Sequence, residues 1–330
     1  MQPSIYDVHV NVPLTNVSIA YMQDQTRFVA PRVFPNVPVL KASDVYYSFT
    51  RADFNRDEMQ VRQAGRQSAG SGFNVTSNGT YRAEVYALHH DIPDMLRANT
   101  DSVLNQDLAT TQLVTLKALI KRENFFVNKY FASGVWGNQV AGVGASPSSN
   151  QILKWSVAGS TPIENVRQAI TLVQGTTGFR PNKLLINQTV ADVLLDHAEI
   201  IDRVKYGQTW TPGGGMAEAS LDALAALWGL DEVLVAGAVQ NTAAEGATEA
   251  TSFIAGNNAL LVYAPAAPAL MTPSAGYTFS WTGYYGAGVD GSRIKRFRME
   301  PESSDRIEIE MAWDMQVVGA DLGYFFNAVI

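Results

Sequence analysis

The sequence predicts an α+β protein built on one long helix, a small α/β region and a set of terminal strands. Three observations support this fold class. Apolar residues recur at helical spacing across residues 100–132. Short apolar runs alternate with amphipathic stretches in residues 161–275, and β-forming residues dominate residues 276–330. Apolar residues make up 46% of the 330 residues, so the chain can build a sizeable core.

Composition narrows the classes of function. The chain has no cysteine, which excludes disulfides, thiol nucleophiles and thiolate zinc sites, and its four histidines leave little room for imidazole sites. The formal charge is −7, whereas proteins that grip nucleic acid phosphates are usually basic on the binding face. Tight non-specific DNA binding is therefore not expected. No apolar run is long enough for a transmembrane helix, and the first residues do not form a secretory signal.

Residues 1–40 are predicted to form an extended arm. Five prolines punctuate this stretch, and only a short piece around Asn16 to Met22 has helical character. The arm contains apolar residues such as Val10, Val12 and Leu14 but is too short to bury them in a core of its own. It is therefore expected to pack either on the rest of its own chain or on a neighbouring molecule.

Residues 41–95 are predicted to form a long hairpin. β-forming residues concentrate in Val45–Thr50 and Tyr81–Leu88, which would be its two strands. The residues between them, Asp53 to Thr80, are polar and rich in glycine, and a loop of this length is usually functional or disordered. Because an isolated two-stranded hairpin is only marginally stable in water, a neighbouring subunit is expected to stabilise this one.

Charged side chains in this hairpin are candidate contact residues. One interpretation is that they form a solvated surface. The other is that they form ion pairs between subunits, where rim charges set register and specificity more than affinity. The residues of this second hypothesis are Arg51, Arg56, Asp57, Glu58, Arg62, Arg66 and Arg82.

Residues 96–160 are predicted to contain one long helix followed by a loop. The helix would span residues 100–132, with N-cap candidates at residues 100–102 and a C-terminal stop at Gly134. At 1.5 Å per residue it would be about 50 Å long, which suits the spine of an elongated molecule. Residues 135–160 are rich in glycine, serine and alanine and predict a linker or surface loop.

Residues 161–275 are predicted to be a small sheet with helices on its faces. Thr161 to Glu164 matches a capping box with proline at the first helical position. The predicted helices run from this box to about Gln174, from Thr189 to His197 and from Ala217 to Trp228, and the predicted strands are Lys183–Asn187, Val233–Ala236 and Ala259–Tyr263.

Residues 276–330 are predicted to be mainly strands. Tyr277–Trp281 alternates in polarity, and Arg293–Met299 is expected to pair with Ile307–Trp313 through a turn at Pro301 to Asp305. This pairing would place opposite charges across from each other. The C-terminal stretch, Tyr324 to Ile330, is apolar and is expected to be buried.

Few patterns suggest a chemical site. Gly286–Gly291 matches G-x-G-x-x-G, but a dinucleotide fingerprint needs a helix after the loop and the next residues predict a strand. His89 and His90 lie beside Asp91, yet adjacent residues on a strand point to opposite faces. His197 ends a predicted helix, where a cationic residue favours the helix dipole. We therefore predict no catalytic residue, no cofactor and no metal ligand.

Two stretches, together with the order of the elements, resemble a known family. The first runs from Phe179 to Asn187 and continues through the next helix to Ile200–Tyr206. The second runs from Leu227 to Ala243 and contains Leu-Trp-Gly, Val-Leu-Val and Asn-Thr-Ala. In this order of arm, hairpin, long helix, α/β region and terminal strands, the chain resembles the major capsid proteins of tailed bacteriophages, which have the Hong Kong 97 phage-type fold.

The resemblance implies a domain organisation and a function. It implies a structural protein, not an enzyme, that assembles into the pentamers and hexamers of an icosahedral head around double-stranded DNA. Such a protein would be located in the virion and assembled in the host cytoplasm. The implied parts are the N-arm (1–40), the E-loop hairpin (41–95), the P-domain with its spine helix (96–160), the A-domain (161–275) and the P-domain strands (276–330).

The resemblance also implies partners. These are copies of the chain itself, a portal, a possible decoration protein, and packaged DNA held without sequence-specific binding; no membrane is involved. Only residues 1–40 precede the hairpin, which implies a separate scaffolding protein or none. Asp44 to Leu88 contains no lysine, so the lysine–asparagine crosslink of some members is not expected. The Gly213–Gly215 loop is expected near the capsomer axis.

Two alternatives remain open. An encapsulin-like compartment has the same fold and encloses protein cargo. A nucleotide-binding α/β enzyme, which is less favoured, would use the Gly286–Gly291 loop.

Overall fold

A computed structural model describes residues 22–99, 105–207, 220–269, 271–284 and 287–330. The predicted helical piece at Asn16–Met22, apart from its last residue, and the Gly213–Gly215 loop lie outside these ranges. The helices of the described residues are α1 (Ala30–Val33), α2 (Arg51–Phe54), α3 (Asp94–Asn99), α4 (Gln106–Tyr130), α5 (Pro162–Thr177), α6 (Gln188–Leu195), α7 (Ala198–Gly207) and α8 (Leu221–Trp228).

The strands of the described residues form two large sheets and two small ones. They are β1 (Asn36–Val39), β2 (Ser43–Phe49), β3 (Val75–Arg82), β4 (Glu84–Pro93), β5 (Asn138–Val143), β6 (Gln151–Leu153), β7 (Lys183–Asn187), β8 (Glu232–Ala236), β9 (Val239–Asn241), β10 (Thr251–Phe253), β11 (Ala259–Val262), β12 (Gly276–Trp281), β13 (Ser292–Met299), β14 (Ser304–Val317) and β15 (Gly323–Asn327).

The long helix α4 is the spine of the molecule. It begins at Gln106, later than the predicted residue 100, and the Asn105 side chain caps it by accepting a hydrogen bond from the Leu108 N–H. Its 25 residues span about 37 Å. Phe126 and Tyr130, one helical turn apart, are fully buried. No helix among the described residues has the length and apolar character needed to cross a bilayer.

Strand β14 organises the first large sheet. Its first part pairs antiparallel with β13 on one side and β4 on the other, and its second part pairs with β12. β12 in turn pairs parallel with β1. Arg293 lies opposite Glu310 and Lys295 opposite Glu308, which confirms the predicted charge pairing. Alternate residues of β14 enter the core beneath α4, namely Ile307, Ile309, Met311, Trp313 and Met315.

The predicted second strand of the hairpin is wrong in position. β2 pairs with β3, which lies mostly within the segment that was predicted to be a loop. Residues 84–93 form β4, which belongs to the sheet of β14 instead. Cross-strand pairs built from serine, threonine and glycine, such as Ser48 with Thr76, support the ribbon and give little apolar signal in the sequence.

The second large sheet has the order β6-β5-β15-β11-β7-β8. Its β5 and β6 lie in residues 135–160, so the prediction of a linker or surface loop there is wrong. β15 lies between β5, to which it is parallel, and β11, to which it is antiparallel. The predicted boundaries at 160 and 276 therefore do not coincide with sheet membership, because β5, β6 and β15 join the strands of the α/β region.

Helices α5 to α8 pack against this second sheet. Val166, Leu184, Leu224 and Trp228 belong to the resulting core. The predicted capping box is not formed: the Thr161 side chain makes no cap hydrogen bond, and the Glu164 carboxylate accepts one from Gln168 instead. Proline does occupy the start of α5, and Gly178 ends it in a left-handed conformation.

Residues 22–40 are built into the body of the same chain. Val33 and Phe34 are buried, and the Phe34 ring lies 4.8 Å from the Tyr130 ring of α4. Lys183 Nζ donates hydrogen bonds to the Arg32 and Val33 carbonyls at the end of α1. For this part of the arm, the alternative in which it packs on its own chain is the one observed.

Candidate assembly surface

The base of the β2–β3 ribbon is fixed by aromatic stacking on the body. The Tyr46 and Tyr81 rings lie 5.7 Å and 4.6 Å from the ring of Phe279 on β12. Gly79 lies opposite Tyr46, and a Cβ at that position would collide with the Tyr46 ring. A side chain here would force the Tyr46 ring to move, so glycine lets the tyrosine cover the backbone.

The electrostatics of the base agree with this partial burial. Burial raises the pKa of Tyr46 and of Tyr81. The Val45 N–H and then the Lys41 ammonium lower the pKa of Asp44, so this carboxylate stays charged where the ribbon leaves the body. The Asp314 carboxylate accepts a hydrogen bond from the Arg82 N–H at 2.9 Å and ties β3 to β14.

Beyond the base, three phenylalanines form an exposed cluster. Phe49, Phe54 and Phe73 lie with ring centroids 5.7 to 5.9 Å apart. Their exposed fractions are 39%, 51% and 58%. Neighbouring Met59 and Val61 are almost fully exposed. A cluster of aromatic rings at the surface, surrounded by polar chain, is typical of an interface with another molecule.

Some of the predicted contact residues already have partners within the chain. Arg51 Nη1 lies 2.6 Å from the Asp321 carboxylate, which joins the hairpin to the segment before β15. Arg56 lies 3.2 Å from Glu58 and 3.6 Å from Asp53. Arg82 Nε is 4.0 Å from Glu84, at the limit of an ion pair. These exposed pairs shape the hairpin, and each contributes little to stability.

The other predicted residues are exposed and lack an oppositely charged neighbour among the described residues. Arg62 donates a hydrogen bond to the Arg66 carbonyl at 2.6 Å and makes no ion pair there. Arg66 and Asp57 are likewise exposed, without an ion pair in the described part of the chain. The structure therefore separates the predicted set into internally paired residues and residues whose charges remain available.

The aromatic cluster was not predicted from the sequence. Its signal was present, because Phe54 and Phe73 are the aromatic residues of the otherwise polar stretch from Asp53 to Thr80. Their convergence could not be inferred, since it depends on the unpredicted strand β3 bringing Phe73 back beside Phe49.

A groove of about 440 Å³ lies between α5 and α8. Arg167 and Arg180 line it and donate hydrogen bonds to the carbonyls of Leu227 and Trp228 at the end of α8. Arginine side chains at a helix C-terminus satisfy free carbonyls and favour the dipole. The two arginines that line the groove therefore have a structural role in capping α8.

His197 contacts the hydroxyl of Ser160, but the geometry does not activate a nucleophile. His197 Nδ1 accepts a hydrogen bond from the Glu199 N–H, so the neutral ring carries its proton on Nε2. Nε2 then donates to Ser160 Oγ at 3.0 Å, and this hydroxyl donates to the Trp155 carbonyl at 3.2 Å. A general base would have to accept from the serine, so this chain of hydrogen bonds is structural.

The other sequence patterns do not form chemical sites in the described residues. Gly286 lies outside the described ranges, and the rest of its loop leads directly into strand β13 without a helix N-terminus. His89 lies 3.9 Å from Asp91. No group of three or more histidine or acidic side chains in the described part of the chain could hold a metal ion.

Comparison with known proteins gives a consistent fold. No family profile matches the chain. A curated relative, the major capsid protein of Burkholderia phage BcepMu, is 22% identical over 327 residues, which cover 97% of this chain and 96% of the relative. A phage-related protein from Bordetella bronchiseptica RB50 matches with a TM-score of 0.68 and 20% identity, covering 93% of this chain and 94% of that chain.

Two further solved structures cover nearly the whole chain. The capsid of cyanophage P-SCSP1u matches with a TM-score of 0.62 and 12% identity, covering 99% of this chain and 95% of that chain. An encapsulin complex from Synechococcus elongatus matches with a TM-score of 0.57 and 12% identity, covering 96% and 93%. The chain therefore has the Hong Kong 97 phage-type fold, and the predicted α+β class is confirmed.

Proposed function

We propose that this protein, which resembles the major capsid proteins of tailed phages, is the structural shell protein of a phage head. The observation that carries the proposal is the alignment with the BcepMu major capsid protein over 97% of the chain. Function then lies in surfaces that join copies of the chain, and the protein is a component of the virion that is assembled in the host cytoplasm.

The distal hairpin is the first of these surfaces. The Phe49, Phe54 and Phe73 rings contact one another but are each more than one-third exposed. A two-stranded ribbon with this much exposed apolar area is marginal alone. Covering the rings with a neighbouring copy removes apolar surface from water at about 25 cal/mol per Å², which stabilises the ribbon and the contact together.

The charges of the hairpin favour a particular arrangement of two copies. Residues 59–82 contain Arg62, Arg66 and Arg82 and no acidic residue, whereas the whole chain carries −7. The remainder of a copy is therefore acidic overall, which favours attraction between this segment and a neighbouring copy. Arg62 and Arg66 have no carboxylate partner among the described residues of their own chain, so we assign them to the contact between copies. Such charges mainly set register and association rate.

The internally paired members of the predicted set have a different role. Arg51 with Asp321 fixes the angle at which the ribbon leaves the body, and Arg56 with Glu58 shapes the turn after α2. Asp57, exposed beside them, is available to a cation of the neighbouring copy.

A closed shell follows from repeating such contacts. Each copy contributes its arm, hairpin and spine, and modest contacts summed over pentamers and hexamers give a stable icosahedral assembly. The enclosed double-stranded DNA is held without sequence-specific contacts, consistent with the acidic balance of the chain. A separate scaffolding protein, a portal and an external decoration protein complete the proposed partners, and no membrane is involved.

Expression of the chain alone, followed by size exclusion and negative-stain electron microscopy, tests the proposal. Closed shells, tubes or capsomer rings are the expected products, with the neighbouring genes of its locus added if the chain alone stays monomeric. Arg62→Glu/Arg66→Glu should impair assembly while leaving the thermal melting temperature of the unassembled chain unchanged. The Arg62→Lys/Arg66→Lys variant keeps both charges and should assemble. Normal assembly by the glutamate variant would remove these residues from the proposed contact.

An encapsulin-like compartment is the alternative, supported by the encapsulin match over 96% of the chain. The two kinds of shell differ in what they enclose. Shells that require a scaffolding protein and package DNA favour the phage head, whereas shells that form unaided and enclose a specific protein favour the compartment. Mass spectrometry and nuclease-protected nucleic acid of purified particles distinguish them.

A further inference from the structure

A carboxylic acid is buried where the N-terminal segment crosses the spine helix. Glu123 of α4 is 1% exposed. Its Oε2 accepts a hydrogen bond from the Ala30 N–H at 2.9 Å. Its Oε1 has no hydrogen-bond partner among the described residues. The proposed shell function makes no use of this group, and burying a half-satisfied carboxyl carries a free-energy penalty.

The segment that Glu123 holds is a compact anchor. The carboxyl meets the backbone N–H groups of Val29 and Ala30, at the start of α1. Val29, Ala30, Val33 and Phe34 are all buried in the core beneath this point. Any opening of residues 28–34 from α4 therefore exposes the Glu123 carboxyl to water.

The charged groups around this carboxyl are few. Its neighbour on α4, the buried Arg122, favours the charged form of Glu123 and is itself acted on by Asp290. On the N-terminal segment, the Arg32 guanidinium is paired with Glu232 of β8. Lys183 of β7 contacts the carbonyls at the other end of α1. Thus Arg122 is the charged side chain that acts directly on Glu123.

Burial outweighs these favourable contacts. Desolvation raises the pKa of Glu123 to about 7 from its ordinary value of 4.5, although the Ala30 and Val29 N–H groups and Arg122 act in the opposite direction. The packed segment consequently binds the proton more tightly than the opened segment does. Attachment is at full strength below about pH 4.5 and weakens as the pH rises to about 7 and above.

We propose that Glu123 is a pH-sensitive anchor: residues 28–34 are held firmly on α4 when the carboxyl is neutral and open more readily when it is charged. The device is independent of the shell function, because it operates within one copy of the chain. Its geometry requires the buried carboxyl, the Ala30 N–H donor and the apolar residues that close over them.

Amide hydrogen exchange of the full-length chain tests the proposal. Exchange at Ala30, Val33 and Phe34 is measured between pH 5 and pH 8 and corrected for the intrinsic rate at each pH. Protection should fall roughly 70-fold over this interval, as expected for a carboxyl whose pKa changes from about 7 to about 4.5 on opening. In Glu123→Gln, which is neutral at every pH, protection should change less than about 3-fold.

The controls separate this device from other titrations. Glu164→Gln removes an exposed carboxyl from α5 and should keep the wild-type pH dependence. His89, His90 and His197 are retained in Glu123→Gln, so an unchanged pH dependence in that variant would overturn the proposal. If Glu123→Gln does not fold, carbon-detected NMR of the wild-type carboxyl decides: titration near pH 7 supports the anchor, and titration at or below pH 4.5 overturns it.

Discussion

Two neighbouring segments, residues 22–40 and residues 43–82, differ sharply in how they use their apolar side chains. The first contributes Phe28, Val33 and Phe34 to the core of its own chain. The second leaves Phe49 and Phe73 substantially exposed. Both segments contain prolines, glycines or polar residues that weaken regular secondary structure. Their apolar content therefore does not decide whether they pack internally.

The spacing of the apolar residues explains the difference. In the first segment, the apolar residues lie within seven positions around α1, so α4 can cover them together: Val29, Ala30, Val33 and Phe34 pack in the main core, and Phe28 packs in a small cluster beside it. In the second, Phe49 and Phe54 are close in sequence, but a long, largely polar stretch separates them from Phe73, which meets them only through ribbon pairing. The first segment helps to fix the fold of one copy, and the second carries the surface that we propose contacts another copy.

The largest expected difference in stability is between two variants that each lose one aromatic ring, one variant in each segment. Phe34→Ala should lower the free energy of unfolding by about 3–5 kcal/mol, because it opens a cavity beside Phe126 and Tyr130. Phe73→Ala should lower it by less than about 1 kcal/mol, because the ring is more than half exposed. Urea denaturation of the unassembled chain measures both. Equal losses would contradict the division between core and surface.

A smaller effect should distinguish the base of the hairpin from its tip. Gly79→Ala places a methyl group against the Tyr46 ring and should cost about 1–3 kcal/mol. Gly70→Ala adds a methyl group that meets no atom within 4 Å, and should change stability by less than about 1 kcal/mol. Thermal melting measures the two variants. A harmless Gly79→Ala would show that the base is not anchored through Tyr46.

The smallest expected effect on stability comes from the ion pairs of Asp305. The Asp305 carboxylate lies 2.5 Å from the Arg97 guanidinium and 2.9 Å from that of Arg296. The two arginines also form ion pairs with Asp107 at the start of α4. Hydrogen bonds from Arg296 and then Arg97 lower the pKa of Asp305 to about 2, so its contribution is complete above about pH 4 and is lost as pH falls towards 2.

Melting temperature followed from pH 5 to pH 2 tests this contribution. Asp305→Asn should show a shallower decline than the wild-type chain. Glu58→Gln removes the exposed pair with Arg56 on the hairpin and should leave the wild-type decline unchanged. Identical curves for all three proteins would show that the network adds nothing beyond single surface pairs.

Much of the fold could be predicted where the local pattern and the tertiary contacts agree. The apolar run Leu184–Ile186 lies within Lys183–Asn187, which forms the predicted strand β7. The alternating charges of β13 and β14 predicted their pairing. In contrast, Gly/Ser/Ala-rich residues 138–153 form strands only because β15 pairs with β5 from far along the chain. Long-range pairing of this kind leaves no local signal.

The candidate surface was predictable to a similar extent. The cluster of arginines on a polar hairpin marked the region, and Arg62 and Arg66 are indeed exposed. The partner of Arg51 was not predictable, because Asp321 is distant in sequence. The aromatic cluster depends on the position of β3. This strand contains Gly79 and several serines and threonines, a composition that is typical of a loop, so it was not predicted.

The position of β15 determines when the second large sheet can be completed during synthesis. This strand joins β5 and β6 to the remaining strands of its sheet, yet it follows every one of them in sequence. During synthesis the sheet therefore stays in two unconnected parts until Gly323–Asn327 has left the ribosome. Arg51 also finds Asp321 only then. Nascent or truncated chains consequently cannot present a finished body, so growth of the proposed assembly is restricted to completed copies.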